Sequence, residues 1–87
     1  MMISIGHEAY AQKEKIVLVL PPNSSPAKRA IKEAEEDKRL YDATAGHKTR
    51  SVLIFEDDQV ALSALQTKTL KARVNNPAPT EDGDDTP

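Results

Sequence analysis

An α+β fold is predicted: a small, mostly antiparallel sheet packed with one main helix and a short C-terminal helix. Three observations predict it. The runs KIVLVL (15–20) and SVLIF (51–55) have the length and the β-branched content of strands. From Gln59 to Leu65, Val60, Leu62 and Ala64 alternate with Ala61 and Ser63, the period of a half-buried strand. Between the two apolar runs, Ala27, Ala30, Ile31 and Ala34 recur at i, i+3, i+4 and i+7, the spacing of one narrow helical stripe.

The elements follow in order. Ile3 to Ile5 starts an apolar segment that Gly6 interrupts. KIVLVL, closed by Pro21 and Pro22, is expected to be a buried strand. In PPNSSP, Ser25 is the expected helix cap and Pro26 the first helical residue, because its missing N–H has no intrahelical partner there. The alanine stripe lets this helix lie close on a sheet, and the helix is expected to fray over Asp37 to Arg39. Leu40 and Tyr41 open a short extended stretch. The acidic turn EDDQ joins the strand SVLIF to the strand at Gln59–Leu65. Leu70 and Val74, four apart, mark the closing helix. Gln59–Leu65 and SVLIF then pair as a hairpin, and such an order of elements belongs to the α+β class.

The chain has 87 residues and no cysteine, so disulfides and thiolate metal sites are excluded. It carries 12 Lys+Arg against 14 Asp+Glu, a formal net charge of −2. Four of the acids, Glu81, Asp82, Asp84 and Asp85, lie in NNPAPTEDGDDTP, which has no large apolar residue. Residues 75–87 are therefore expected to be a disordered acidic tail, and residues 1–74 the single folded domain. Without the tail, 12 basic residues face 10 acidic ones, a net of +2. A domain this small lacks burial, and self-association is the economical way to add it. The start of the chain has no basic region followed by a sustained apolar run, so no signal peptide is expected. The longest apolar run, IVLVL, is far shorter than the roughly 20 residues of a membrane helix.

No catalytic constellation is present. Nucleophilic catalysis needs a base beside the nucleophile, and neither His7 nor His47 lies in a nucleophile motif. His7 and Glu8 are adjacent, so on a strand they face opposite sides and form no metal pair. Neither an enzyme nor a metal or other cofactor is expected.

The basic residues are more informative. On the main helix Lys28, Arg29 and Lys32 come early, and Glu33, Glu35, Glu36 and Asp37 come late. This reverses the order that the helix dipole favours. It suits an external anion at the helix start, and it equally suits i,i+4 pairs such as Arg29 with Glu33 and Lys32 with Glu36. The stretch TAGHKTR (44–50) sets His47, Lys48 and Arg50 after Gly46 with no acid among them. Spaced by two, Lys48 and Arg50 share a side of an extended segment, as a phosphate clamp requires. Taken alone, the same stretch also reads as a solvated turn.

The segments ISIG, KIVLVLPPNSSPAKRAIKEA, LYDATAGHKTRSVLIF and VALSALQTKTL together resemble the bacterial RemA family of extracellular-matrix regulators. The resemblance runs from Ile3 to about Arg73. Its most specific elements are S-x-P-x-K-R-x-I at the helix start, D-A-T-x-G-x-[KR]-T-R before SVLIF, and L-S-A-[LVI]-Q after it. It implies a cytoplasmic, LytTR-related subunit of a homo-oligomeric ring, usually an octamer. Such a ring binds double-stranded DNA through the phosphate backbone and activates transcription of biofilm-matrix genes. Family residues important for DNA fall on Lys15, His47 and Lys48, where the family usually has arginines. Pro26 matches the family proline tied to assembly. Arg50, Lys28 and Arg29 complete the candidate DNA surface. Imidazole takes up its charge below neutral pH, so DNA binding through His47 is expected to strengthen as pH falls. The alternative is a structural or regulatory homo-oligomer that binds a protein partner rather than DNA, with the oppositely charged ends of the helix joining subunits head to tail.

Overall fold

The computed structural model describes residues 1–75. Strand β1 (Met2–Gly6) and β2 (Ala9–Gln12) form an antiparallel hairpin. A short 3₁₀ turn, Lys13–Lys15, leads into β3 (Ile16–Leu20). Helix α1 (Ser25–Glu36), β4 (Leu40–Ala43), β5 (Ser51–Phe55), β6 (Val60–Ser63) and α2 (Thr67–Asn75) follow. The acidic tail expected over 75–87 lies, but for Asn75 at the end of α2, outside the described residues.

The second sheet has the order β3-β5-β6-β4. Its pairs are antiparallel except β4 with β6, which run parallel. The parallel pair arises because α1 carries the chain from the end of β3 back to the start of β4, across the width of the sheet. The fold is thus α+β and mostly antiparallel, as expected, with one parallel edge that alternating patterns do not reveal.

Alternation along the strands sends side chains to two covered faces. On one, Val52 and Val60 meet Ala27 and Ala34 of α1, all four buried. On the other, Leu53 and Ala61 meet Ile5, Ala9 and Ala11 of the hairpin and Leu70 of α2. The molecule is therefore three layers deep, which explains why Val60 and Ala61, neighbours on opposite faces of β6, are both buried.

Four local expectations change. Strand β3 is an edge strand rather than a buried one. It pairs only with β5, and Val17 and Leu18 are 59% and 47% exposed. An irregularity in register between Ile16 and Leu18 lifts Val17 out of the ladder. The helix cap is Ser24, not Ser25: its backbone is extended and its Oγ accepts from Ala27 N–H at 3.3 Å while donating to Pro21 O at 2.9 Å. Pro26 is consequently the second helical residue, where its lack of an N–H still costs nothing. The other end of α1 is closed, not frayed. Lys38 takes φ 59°, its N–H reaches Glu35 O, and Arg39 N–H reaches Ala34 O at 2.7 Å. This is a Schellman cap with lysine where glycine is usual. Finally, the strand expected over Gln59–Leu65 runs from Val60 and ends at Ser63, whose hydroxyl donates to Ile5 O.

Candidate nucleic-acid interface

The register sorts the polar residues onto two ends of the sheet. Leu20 lies opposite Val52, Ser51 opposite Ser63, and Ala43 opposite Ser63, so these residues share one end. Ile16 opposite Phe55 and Leu40 opposite Val60 define the other. At the first end α1 begins after β3, the loop 44–50 leaves β4 and enters β5, and α2 follows β6. Lys28 and Arg29 in the first turns of α1 and Lys48 and Arg50 of the loop are all exposed there. Two helix N-termini and the basic loop therefore gather at one end, an arrangement that favours an anion.

The loop is held in shape by its own backbone and by buried hydroxyls. His47 N–H donates to Thr44 O at 3.0 Å, and Ala45 and Gly46 between them have φ 53° and 84°. Two successive positive φ values reverse the chain tightly, and Gly46 supplies one of them without steric cost. Asp42 Oδ1 accepts from Thr44 N–H at 2.8 Å and from Thr44 Oγ1 at 2.6 Å. Arg50 N–H donates to Ser63 O at 2.8 Å, fixing where the loop enters β5. The hydroxyls of the buried pair Ser51 and Ser63 donate to Leu65 O and Ile5 O, tying the α2 entry and the hairpin to this end.

The hairpin turn meets the loop directly. Gly6, at φ 154°, leaves no room for a side chain, since a Cβ would lie 2.6 Å from Ala43 O. With Glu8 at φ 58°, His7 is in a turn rather than on a strand. Its ring stacks on that of His47, 4.7 Å between centroids and 9° between planes.

Lys15 occupies the opposite end. Its Nζ lies 3.4 Å from Glu56 Oε1, and Glu56 N–H donates to Lys15 O at 2.8 Å. Glu56, its partner, is six steps along the chain from Arg50 across β5, roughly 20 Å at strand spacing. Arg39 is also there, bound to Asp37 Oδ2 at 3.0 Å and to Asp58 O.

The family model described as Extracellular matrix regulatory protein A-like, or RemA-like, matches residues 2–74. The chain belongs to the RemA-like family. A protein of Thermodesulfovibrio yellowstonii, provisionally named a regulatory protein, is 43% identical over 84 residues, covering 97% of this chain and 99% of its own. Proteins of Bacillus cytotoxicus and Bacillus mycoides with the same provisional name are each 39% identical over 74 residues, 85% of either chain. The family and these names point to a regulatory protein.

Among the residues expected at a DNA surface, this RemA-like chain gathers His47, Lys48, Arg50, Lys28 and Arg29 at one end and leaves Lys15 at the other. Pro26 is exposed in the first turn of α1, at the gathered end. His7 and Lys68, which were not among the residues expected there, lie at the same end. Lys68 is exposed in the first turn of α2, and the basic spacing in QTKTLK was a usable signal for it. Among the described residues no group of three His, Cys, Asp or Glu side chains is placed to hold a metal ion, and no helix is long and apolar enough to cross a membrane.

The loop also carries an acid-sensitive tie. The two Thr44 hydrogen bonds favour the charged form of Asp42 and lower its pKa from the ordinary 3.8. A lowered folded-state value means the tie stabilises the protein above the ordinary aspartate range and is lost as pH falls through the lowered value. The destabilisation by Asp42→Ala, read as a difference in melting temperature from the parent, is thus expected to be constant at neutral pH and to shrink as pH falls through the lowered value. A difference that does not shrink on acidification refutes this.

Proposed function

We propose that the protein is a ring-forming transcriptional regulator that binds double-stranded DNA through a repeated basic rim, working in the cytoplasm. The observation that carries this reading is the gathering of Lys28, Arg29, His47, Lys48 and Arg50 around two helix N-termini at one end of the sheet. The RemA resemblance adds the ring of about eight subunits, the activation of biofilm-matrix genes and Lys15 as a further DNA residue. One subunit offers too few cations for firm binding. Repeating the patch around a ring makes later contacts intramolecular and raises avidity by roughly 10²–10⁴. Phosphate contacts give no base readout, so the binding is sequence-tolerant.

The test is a duplex titration over graded salt, with particle mass from light scattering on the same samples. Affinity is expected to fall steeply, with a log–log slope of about −0.9 for each phosphate neutralised. Affinity that is flat with salt overturns the phosphate account. A second reading, a homo-oligomer that meets a protein partner, is favoured by Val17 and Leu18 exposed on the open edge strand β3. A homogeneous oligomer that binds no duplex at any salt supports it.

A further inference from the structure

The His7–His47 stack is not explained by folding. Both residues are exposed, so the stack buries little area, and they belong to turns that are each held by contacts other than the stack. Gly6 against Ala43 O and the left-handed Glu8 set the position of His7. The Ala45–Gly46 reversal and the Thr44–His47 hydrogen bond set that of His47. Two turns thus present two imidazoles, parallel and 4.7 Å apart, at the loop that also carries Lys48 and Arg50.

We propose that His7 and His47 form one oxyanion-binding pair that holds a phosphodiester of the duplex and takes up a proton as it does so; this rests on the DNA reading above. Parallel rings 4.7 Å apart set no charges against each other while both are neutral. A second proton sets two cations face to face at short range, and Lys48 and Arg50 on the loop add to that repulsion. A phosphate oxygen against the ring edges cancels it, so anion and proton bind together. The remaining charged groups on the adjoining elements fit this account. Glu8 on the hairpin turn is exposed to water. Asp42 at the end of β4 is occupied by Thr44. Arginine in either position would bind phosphate at any pH. Histidine ties the contact to the range between about pH 5 and 8.

Duplex affinity of the full chain at constant salt, measured from pH 7.5 down to 5.5, tests the linkage. Each proton taken up steepens the rise by up to about tenfold per pH unit. His7→Phe, which keeps a stacking ring but no proton, is expected to flatten that rise, and His47→Arg to flatten it while raising affinity at pH 7.5. An unchanged pH dependence in His7→Phe overturns the pair. A second readout separates this from failure of the DNA reading: sulfate, whose own charge is constant over this range, is titrated at pH 6 against chloride of equal ionic strength while the histidine ring protons are followed by NMR. Both rings are expected to shift together with sulfate alone. If sulfate moves both rings but duplex never binds, the DNA reading fails and the anion pair stands. If duplex binds and the rings ignore sulfate, the pair fails.

Discussion

Leu53→Ala is expected to lower folding stability by about 3–5 kcal/mol. Leu53 is fully buried at the middle of β5, flanked in the sheet by Val19 and Ala61, and it faces the layer formed by the hairpin and α2. Removing three carbons there leaves a cavity that three elements line and none fills. A domain of this size holds on the order of 4–11 kcal/mol in all, so the loss takes much of the total. In urea the midpoint should fall with little change in slope. Leu18→Ala is the paired measurement. At 47% exposure its loss should be under about 1 kcal/mol. A much larger loss that also varies with protein concentration would mean that another copy covers the open face of β3. An unchanged midpoint for Leu53→Ala would refute the three-layer packing itself.

The contrast between these two leucines shows what patterns in one chain reveal. KIVLVL and SVLIF look alike as apolar runs, and both are strands. Only pairing order decides that β5 is central and β3 is at the edge, and pairing order is a property of contacts between distant segments. Helix α1 was legible almost to the residue, since the alanine stripe, the serines and Pro26 act locally. Its cap shifted by one because Ser24 and Ser25 are chemically equal and only the turn from Pro21 selects between them. The β1–β2 hairpin was not legible. AYAQ is short and alanine-rich, and its turn uses Glu8 at positive φ where glycine or asparagine would have signalled it. Gly46 did signal a reversal, and the basic loop was found. Its partner His7 was not, because stacking across two turns leaves no periodic trace in sequence.

Lys48→Ala combined with Arg50→Ala is expected to weaken duplex binding by about 10²-fold in moderate salt, from the loss of two charge-assisted contacts worth about 1.5 kcal/mol each. The salt slope should become shallower by roughly 1.8 for each subunit that touches the duplex. Both side chains are exposed, and the bond from Arg50 to Ser63 uses the backbone, so the urea midpoint should not move. That separation of folding from binding makes the variant decisive. Lys15→Ala then tests the geometry of the assembly. Within one subunit Lys15 and the loop lie at opposite ends of the sheet, too far apart to grip one phosphate. A comparable loss from Lys15→Ala therefore requires the rim to set one copy's Lys15 end beside the next copy's loop, or the duplex to span both ends. No loss confines the DNA surface to the loop and the helix starts. Parental affinity in the double variant at every salt concentration would remove DNA from this end of the sheet, and an intact oligomer in that experiment would favour a protein partner.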